Sequence, residues 1–274
     1  MKISFIGAGK VGTAFGKYLS KHFEVAYIND LNQEQAKLSA SYIGCQLATN
    51  GKLVAESDVV FLTVSDNYIN SLAMEISTFD VKNKLFVHMS GALTSEELRD
   101  LKNHGAMTCS MHPLQTFSDT QKAVEDLKEA YFAVEGDDDL VESMIKKLGN
   151  PYFKLDKSQK NKYHLSACIF SNYLVTLMNF GSRMMAEVGI KEEDALKAMK
   201  PLIDATLSNI MLKGTEKSLT GPIQRGDTKT VEKHMTELNG VDLEAYQLLG
   251  RMTTDELIMN DDIKSILNAI WREQ

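Results

Sequence analysis

The run Gly7-Ala8-Gly9-Lys10-Val11-Gly12 constrains this chain more than any other feature. It follows directly on the apolar stretch Lys2–Ile6 and opens a helical stretch in which Gly16 recurs. Each glycine of such a G-x-G-x-x-G run has its own physical role. Gly7 permits a tight turn, Gly9 lets backbone approach a pyrophosphate, and Gly12 lets helix and strand pack closely. The helix N-terminus adds oriented N–H groups and positive dipole charge. A second strand, Val25–Ile28, leads into Asn29-Asp30, and Asp30 stands 18 residues beyond Gly12. A carboxylate at about that distance can bond an adenosine ribose, and this strand–turn–helix–strand context is what the motif requires. The run therefore predicts a Rossmann domain. Gly7, Ala8, Gly9, Lys10, Val11 and Gly12 would cradle a dinucleotide, and Asn29 or Asp30 would contact its ribose. Asp30 would repel a 2′-phosphate, and no arginine within five residues offsets it, which tilts the reading from NADP toward NAD.

Further strands are expected at Val59–Val64, Leu85–Met89, Met107–Met111 and Tyr131–Val134, short and rich in buried-type residues. Ligands of open α/β sheets bind beyond the carboxyl ends of strands. Val64 and Ser65 end one strand and would face the cofactor. Ser90 and Gly91 end the next and would face substrate. Asp66 reads as a helix N-cap for Asn67–Ser77. Thr94-Ser95-Glu96-Glu97 has the form of a capping box, and Asp138–Leu148 is an amphipathic helix closed by Gly149-Asn150-Pro151. Alternation of this kind predicts an α/β domain, a doubly wound parallel sheet with helices on both faces. After Leu155 the strands stop. Helical patterns run over Lys157–Val188, Glu192–Leu212, Thr228–Leu238, Val241–Met259 and Ile263–Trp271, with Gly221–Asp227 as a polar loop. The chain thus divides into a Rossmann domain, 1–155, and an all-α C-terminal domain, 156–274, which carries substrate contacts and dimerisation. Much of the helical surface is apolar, which points to a homodimer.

Bulk properties exclude several classes. The chain has 274 residues and a net charge of −7, with no basic block, which speaks against a nucleic-acid or anionic-membrane partner. No apolar run approaches the roughly 18 residues of a membrane span. The N-terminal stretch is interrupted by glycines and reads as a strand rather than a signal peptide. Cys45, Cys109 and Cys168 are widely spaced, form no metal-ligand pattern, and suit a reducing, cytoplasmic setting.

Hydride chemistry also needs a proton donor. His164 and Lys162 lie in the first turns after residue 156, and His164 shares a helical face with Cys168 and Asn172. Histidine transfers protons well near neutral pH, whereas a lysine could polarise a carbonyl or donate if its pKa is depressed. His112, before Pro113, is a further candidate, or else a residue that braces its loop. Arg225 could clamp a carboxylate, or pair with Asp227, itself a cap for the helix at Thr228.

Three strings extend these readings: His88-Met89-Ser90-Gly91-Ala92, Met111-His112-Pro113-Leu114-Gln115-Thr116-Phe117 and Thr220-Gly221-Pro222-Ile223-Gln224-Arg225-Gly226-Asp227. With the N-terminal motif and the all-helical second half, they resemble a family commonly labelled NADP oxidoreductase, whose C-terminal domain has no assigned function. It sits within the superfamily of 6-phosphogluconate dehydrogenase, pyrroline-5-carboxylate reductase, 3-hydroxyisobutyrate dehydrogenase, ketopantoate reductase and prephenate dehydrogenase. The resemblance implies NADP or NAD, a small-molecule substrate such as an oxo acid, hydroxy acid or imine, and a homodimer. It makes Ser90-Gly91 similar to the Ser-Gly that meets a substrate carboxylate in hydroxyisobutyrate-type enzymes. One departure stands out. Those enzymes and ketopantoate reductases place lysine four residues before asparagine, whereas Lys162 is followed at that spacing by Ser166. The departure leaves open a non-catalytic dinucleotide-binding sensor or scaffold. The superfamily also admits a reductase that uses a deazaflavin beside NADP.

Overall fold

The computed structural model describes residues 1–137 and 139–271, so Asp138, expected to open a helix, lies outside them. The chain forms two compact units, Met1–Ser171 and Asn172–Gln274.

The first unit is built on one eight-stranded sheet. Its strands are β1 (Lys2–Ile6), β2 (Glu24–Asn29), β3 (Gln46–Leu47), β4 (Val59–Leu62), β5 (Leu85–His88), β6 (Met107–Pro113), β7 (Phe132–Gly136) and β8 (Tyr152–Lys154). Their order is β3-β2-β1-β4-β5-β6-β7-β8. Helices α1 (Lys10–Leu19), α2 (Gln33–Ile43), α3 (Asn50–Glu56), α4 (Asp66–Ile76), α5 (Arg99–Asn103), α6 (Thr120–Asp126) and α7 (Asp139–Leu148) fill the crossovers. Strand periodicity sorts the core. Ile3, Phe5, Phe61 and Val87 face one way, onto Phe15, Ala40 and Ile145. Ile6, Val60, Leu62 and Phe86 face the other way, onto Leu53, Ile69 and Leu101. Each such side chain, fully buried, contributes roughly 1.5–3 kcal/mol. The order reverses between β1 and β4, both parallel to their neighbours, so their carboxyl ends open a crevice there.

The parallel sheet expected from the alternation needs a correction at one edge. β6 and β7 pair antiparallel, with Met111 opposite Val134, and β8 then runs parallel to β7. β3 and β8 were too short to leave a pattern. The capping box expected at Thr94 is absent: Thr94 makes no side-chain cap. Instead the buried Glu135 carboxylate accepts the Ser95 N–H at 2.7 Å and the Ser95 hydroxyl at 2.9 Å.

The single helix expected over Lys157–Val188 is segmented. A 3₁₀ turn, Lys157–Gln159, carries a capping box between Asp156 and Gln159. α8 (Lys160–Cys168), a π turn (Ile169–Tyr173) and α9 (Leu174–Glu187) follow. The compact units divide inside that π turn, well past residue 155, because α8 is tied to the first unit. In the second unit α9 is followed by α10 (Glu192–Lys213), α11 (Gly221–Arg225), α12 (Thr228–Thr236), α13 (Gly240–Leu257) and α14 (Asp261–Ile270). α11 replaces the expected loop. Pro222 suits a first helical turn, and Gly226 at φ +68° stops it. Asp227 caps α12 as expected, accepting the Thr230 N–H at 3.1 Å.

Candidate active site

The glycine run adopts the geometry its spacing predicts. Gly7 sits at φ +112°, and a Cβ there would lie 2.6 Å from the Thr63 backbone. A Cβ on Gly12 would lie 2.2 Å from the Gly7 carbonyl oxygen, so this glycine serves packing rather than ligand contact. Nothing lies within 4 Å of the Cβ position at Gly9. That open side faces two clefts of about 490 and 380 Å³, both lined by Gly9, Val64 and Ser65. Gly9 is also the N-cap of α1 and makes no side-chain cap, so the first N–H groups of the helix remain available to an anion. These features fit a dinucleotide pyrophosphate.

Asn29 and Asp30 border the larger cleft. The Asp30 carboxylate also closes the glycine loop, accepting the Ala8 N–H at 2.6 Å and the Asn32 N–H at 2.8 Å. Ala8 is buried, and its N–H is committed to Asp30. Lys10 and Val11 line the smaller cleft, together with Met89 and Ser90. The Lys10 ammonium donates to the Ser118 carbonyl at 2.7 Å.

At Ser90 the cleft meets a dense polar cluster. The Ser90 hydroxyl donates to Asp66 at 2.7 Å and accepts the N–H groups of Ala92 and Leu93. Asp66 is therefore not the N-cap expected. It is the first residue of α4, Ser65 holds the cap position, and its carboxylate braces the Ser90 turn. Behind the turn, the fully buried His88 ring donates from Nε2 to the Thr94 carbonyl at 3.0 Å. Its Nδ1 accepts the Ser90 N–H at 3.3 Å. Both bonds together require the neutral ring, and burial holds the His88 pKa down at about 4.

The lysine of the cluster is Lys160, not Lys162. Lys162 is exposed on α8, whereas Lys160 is buried. Its ammonium donates to the Ser90 carbonyl at 2.9 Å and to the Ser110 hydroxyl at 2.7 Å. Burial pushes its pKa down to about 8. The sequence held one signal for it: Lys160 stands four residues before His164, the lysine-to-partner spacing tried from Lys162 instead.

His164 and His112 meet over Gly91, their ring centroids 5.9 Å apart and nearly perpendicular. A Cβ on Gly91 would lie 2.4 Å from His164 Nδ1 and 2.9 Å from His112 Nε2, so only glycine lets both rings in. His112 Nδ1 bonds the Tyr163 hydroxyl at 2.8 Å. Burial, aided by the nearby Lys160 charge, lowers the His112 pKa to about 4. His164 Nε2 lies 3.6 Å from Cys168 Sγ, while its buried Nδ1 has no partner among the described residues. Tyr163 and Lys160 were not read from the sequence. Asn172, expected on one face with His164, falls in the π turn Ile169–Tyr173 and belongs to the second unit. Arg225, exposed at the end of α11, makes no ion pair or hydrogen bond among the described residues. Among the described residues no group of three or more His, Cys, Asp or Glu side chains is placed to hold a metal ion. No helix among them is long and apolar enough to cross a membrane.

Residues 2–90 match the family described as NADP oxidoreductase, coenzyme F420-dependent. Residues 130–253 match the domain of unknown function DUF2520. The chain joins these two domain families. The resemblance stated from its motifs is therefore correct, and by that description the cofactor of the N-terminal family is NADP. None of the curated proteins matches in sequence. Among solved structures, protein TM1727 from Thermotoga maritima is similar, with a TM-score of 0.72 at 26% identity over 98% of this chain and 100% of that one. A reductive aminase from Aspergillus terreus, solved with NADPH and ethyl levulinate, superposes with a TM-score of 0.67 at 14% identity, over 98% and 99% of the two chains. A pyrroline-5-carboxylate reductase from Coxiella burnetii gives 0.61 at 13% identity, over 97% and 96%. The last two show a shared fold.

Proposed function

We propose that this chain is an NAD(P)H-dependent reductase of a small imine, oxo acid or hydroxy acid, the last in the reverse direction. The observation that carries the reading is a convergence at one turn. Ser90 lines a cleft with Gly9 and Lys10, and the same Ser90-Gly91 turn is backed by Lys160, His112 and His164. A nicotinamide dinucleotide would be held by the glycine loop and the α1 N-terminus, with Val64 and Ser65 bordering its path. When bound it supplies the hydride.

The chain's own residues supply the rest. His164 is our choice of proton donor, because its buried Nδ1, beside the Ser90-Gly91 turn, has no partner among the described residues. Lys160 sits behind the turn as a positioning residue. Its charge favours an oxygen or nitrogen on which negative charge develops. His112, neutral near pH 7 and bonded to Tyr163, completes the polar wall. The imine option draws support from the reductive aminase and pyrroline-5-carboxylate reductase that share the fold.

The helical unit is assigned to a homodimer on its exposed apolar side chains, among them Val175, Leu202, Met211 and Leu212. Cys45 and Cys168, both free thiols, support a cytoplasmic location. One observation favours a non-catalytic dinucleotide-binding role: two donors of Lys160 are already spent on Ser90 and Ser110. Oxidation of NADH, NADPH or a reduced deazaflavin by the purified chain, over a panel of cyclic imines and oxo acids, separates the two readings. In the enzyme, His164→Ala lowers turnover by about 10²–10⁴-fold with cofactor affinity kept. No turnover with any donor and acceptor overturns the catalytic reading.

A further inference from the structure

The far end of the larger cleft has a chemistry of its own. Beyond the glycine loop it is bordered by Asn29, Asp30, Asn50 and Glu75, and a second hollow of about 720 Å³ continues past the same Asn29, Asn50 and Glu75. Among the described residues no lysine or arginine lines either one. The three polar side chains form a relay. Glu75 Oε1 accepts from Asn50 Nδ2 at 3.0 Å, and Asn50 Oδ1 accepts from Asn29 Nδ2 at 2.7 Å. A carboxylate can only accept, so Glu75 sets the sense of both amides. The Asn29 amide nitrogen is then directed at Asn50. Its oxygen remains as the free acceptor, met only by Gln33 Nε2 at 3.5 Å. Asp30 beside it is a carboxylate with no ion pair among the described residues.

Resting on the dinucleotide reading, we infer that this cleft selects NAD(H) over NADP(H), with Glu75 as a specificity-determining residue beside Asp30. An adenosine ribose offers two hydroxyl donors, which suit a rim of acceptors. A 2′-phosphate offers only acceptors and about two negative charges, and would meet two carboxylates with no cation. The chain thereby departs from the cofactor named for its N-terminal family. Glu75 lies on α4, 45 residues beyond Asp30, and carries no motif that would announce it.

Calorimetric titration of the intact protein with NADH and with NADPH tests this without any turnover. NADH is expected to bind at least about tenfold more tightly at low salt. Added salt should narrow the gap, since screening relieves repulsion and would weaken an attraction. Glu75→Gln is expected to shift the ratio of the two affinities about threefold toward NADPH. NADPH binding as tightly as NADH, or a gap that widens with salt, overturns the selection. A wild-type preference for NADH that is unaltered by Glu75→Gln removes Glu75 from it. If neither nucleotide binds, the dinucleotide reading fails and takes this inference with it.

Discussion

The two units manage their apolar surface differently. In the first, α1 has ten residues and buries seven of them against the sheet and the neighbouring α2 and α6. In the second, α10 has 22 residues and buries only Ala195, and α9 has 14 and buries only Ser182. Among the described residues, the buried cluster of the second unit is made of Val231, Met235, Ile258, Leu267, Ile270 and Trp271. Met211 and Leu212 on α10 remain about four-fifths exposed, at 82% and 78%. A layered α/β unit satisfies its own helices, because every crossover helix has a sheet face to cover. A set of long helices without a sheet must find another surface. The first unit therefore covers its own helices, whereas the second leaves long apolar faces open, and these are the faces on which the homodimer is proposed.

The contrast breaks most sharply at α10. Met211→Asp would place an uncompensated charge in the proposed dimer interface, at a cost of about 3–5 kcal/mol, or more than a hundredfold in dissociation constant. Light scattering should then return a monomer, while dinucleotide binding by the first unit persists. A wild-type chain that already runs near 30.6 kDa would end the account of the helical unit.

Acid acts instead on the first unit. The folded-state pKa values of His88 and His112, about 4, lie below the ordinary value of 6.5. Between those values the unfolded chain binds more protons, so stability rises with pH there and is lost as pH falls from about 6.5 to about 4. Each histidine contributes at most roughly 3 kcal/mol to that loss. Urea unfolding followed across this range should show it. A flat profile would mean that the rings are not held neutral.

The smallest expected effect separates two glycines of the same unit. Gly91→Ala drives a methyl group into His164 and His112, and should cost about 1–3 kcal/mol of stability as well as activity. Gly9→Ala meets nothing within 4 Å, so its thermal midpoint should stay put while dinucleotide affinity falls. Equal melting of both variants would show that the histidine pair can move aside.

Legibility follows the range of the interaction. The glycine loop, the α/β alternation, the loss of strands after Leu155 and the Asp227 cap were readable, because each rests on neighbours within a few residues. Ser90, His112 and His164 were named from strand ends and helix position, and the structure does bring them to one turn. Lys162, named with them, is exposed, and the buried lysine behind the turn is Lys160, which, like Tyr163 and Glu75, no motif announces.

What the sequence determined by itself is the local grammar. It set where the longer strands and most helices form, and where a backbone needs glycine to turn or to admit a phosphate. What only the tertiary structure decided is which distant groups meet. Lys160 finds the Ser90 carbonyl across 70 residues, Glu135 takes the Ser95 cap across 40, and Asp66 holds the Ser90 hydroxyl across 24. A carboxylate or ammonium that leaves water, as those of Glu135 and Lys160 do, must be met by a partner. That partner is chosen by sheet order and helix placement, which spacing along the chain does not encode.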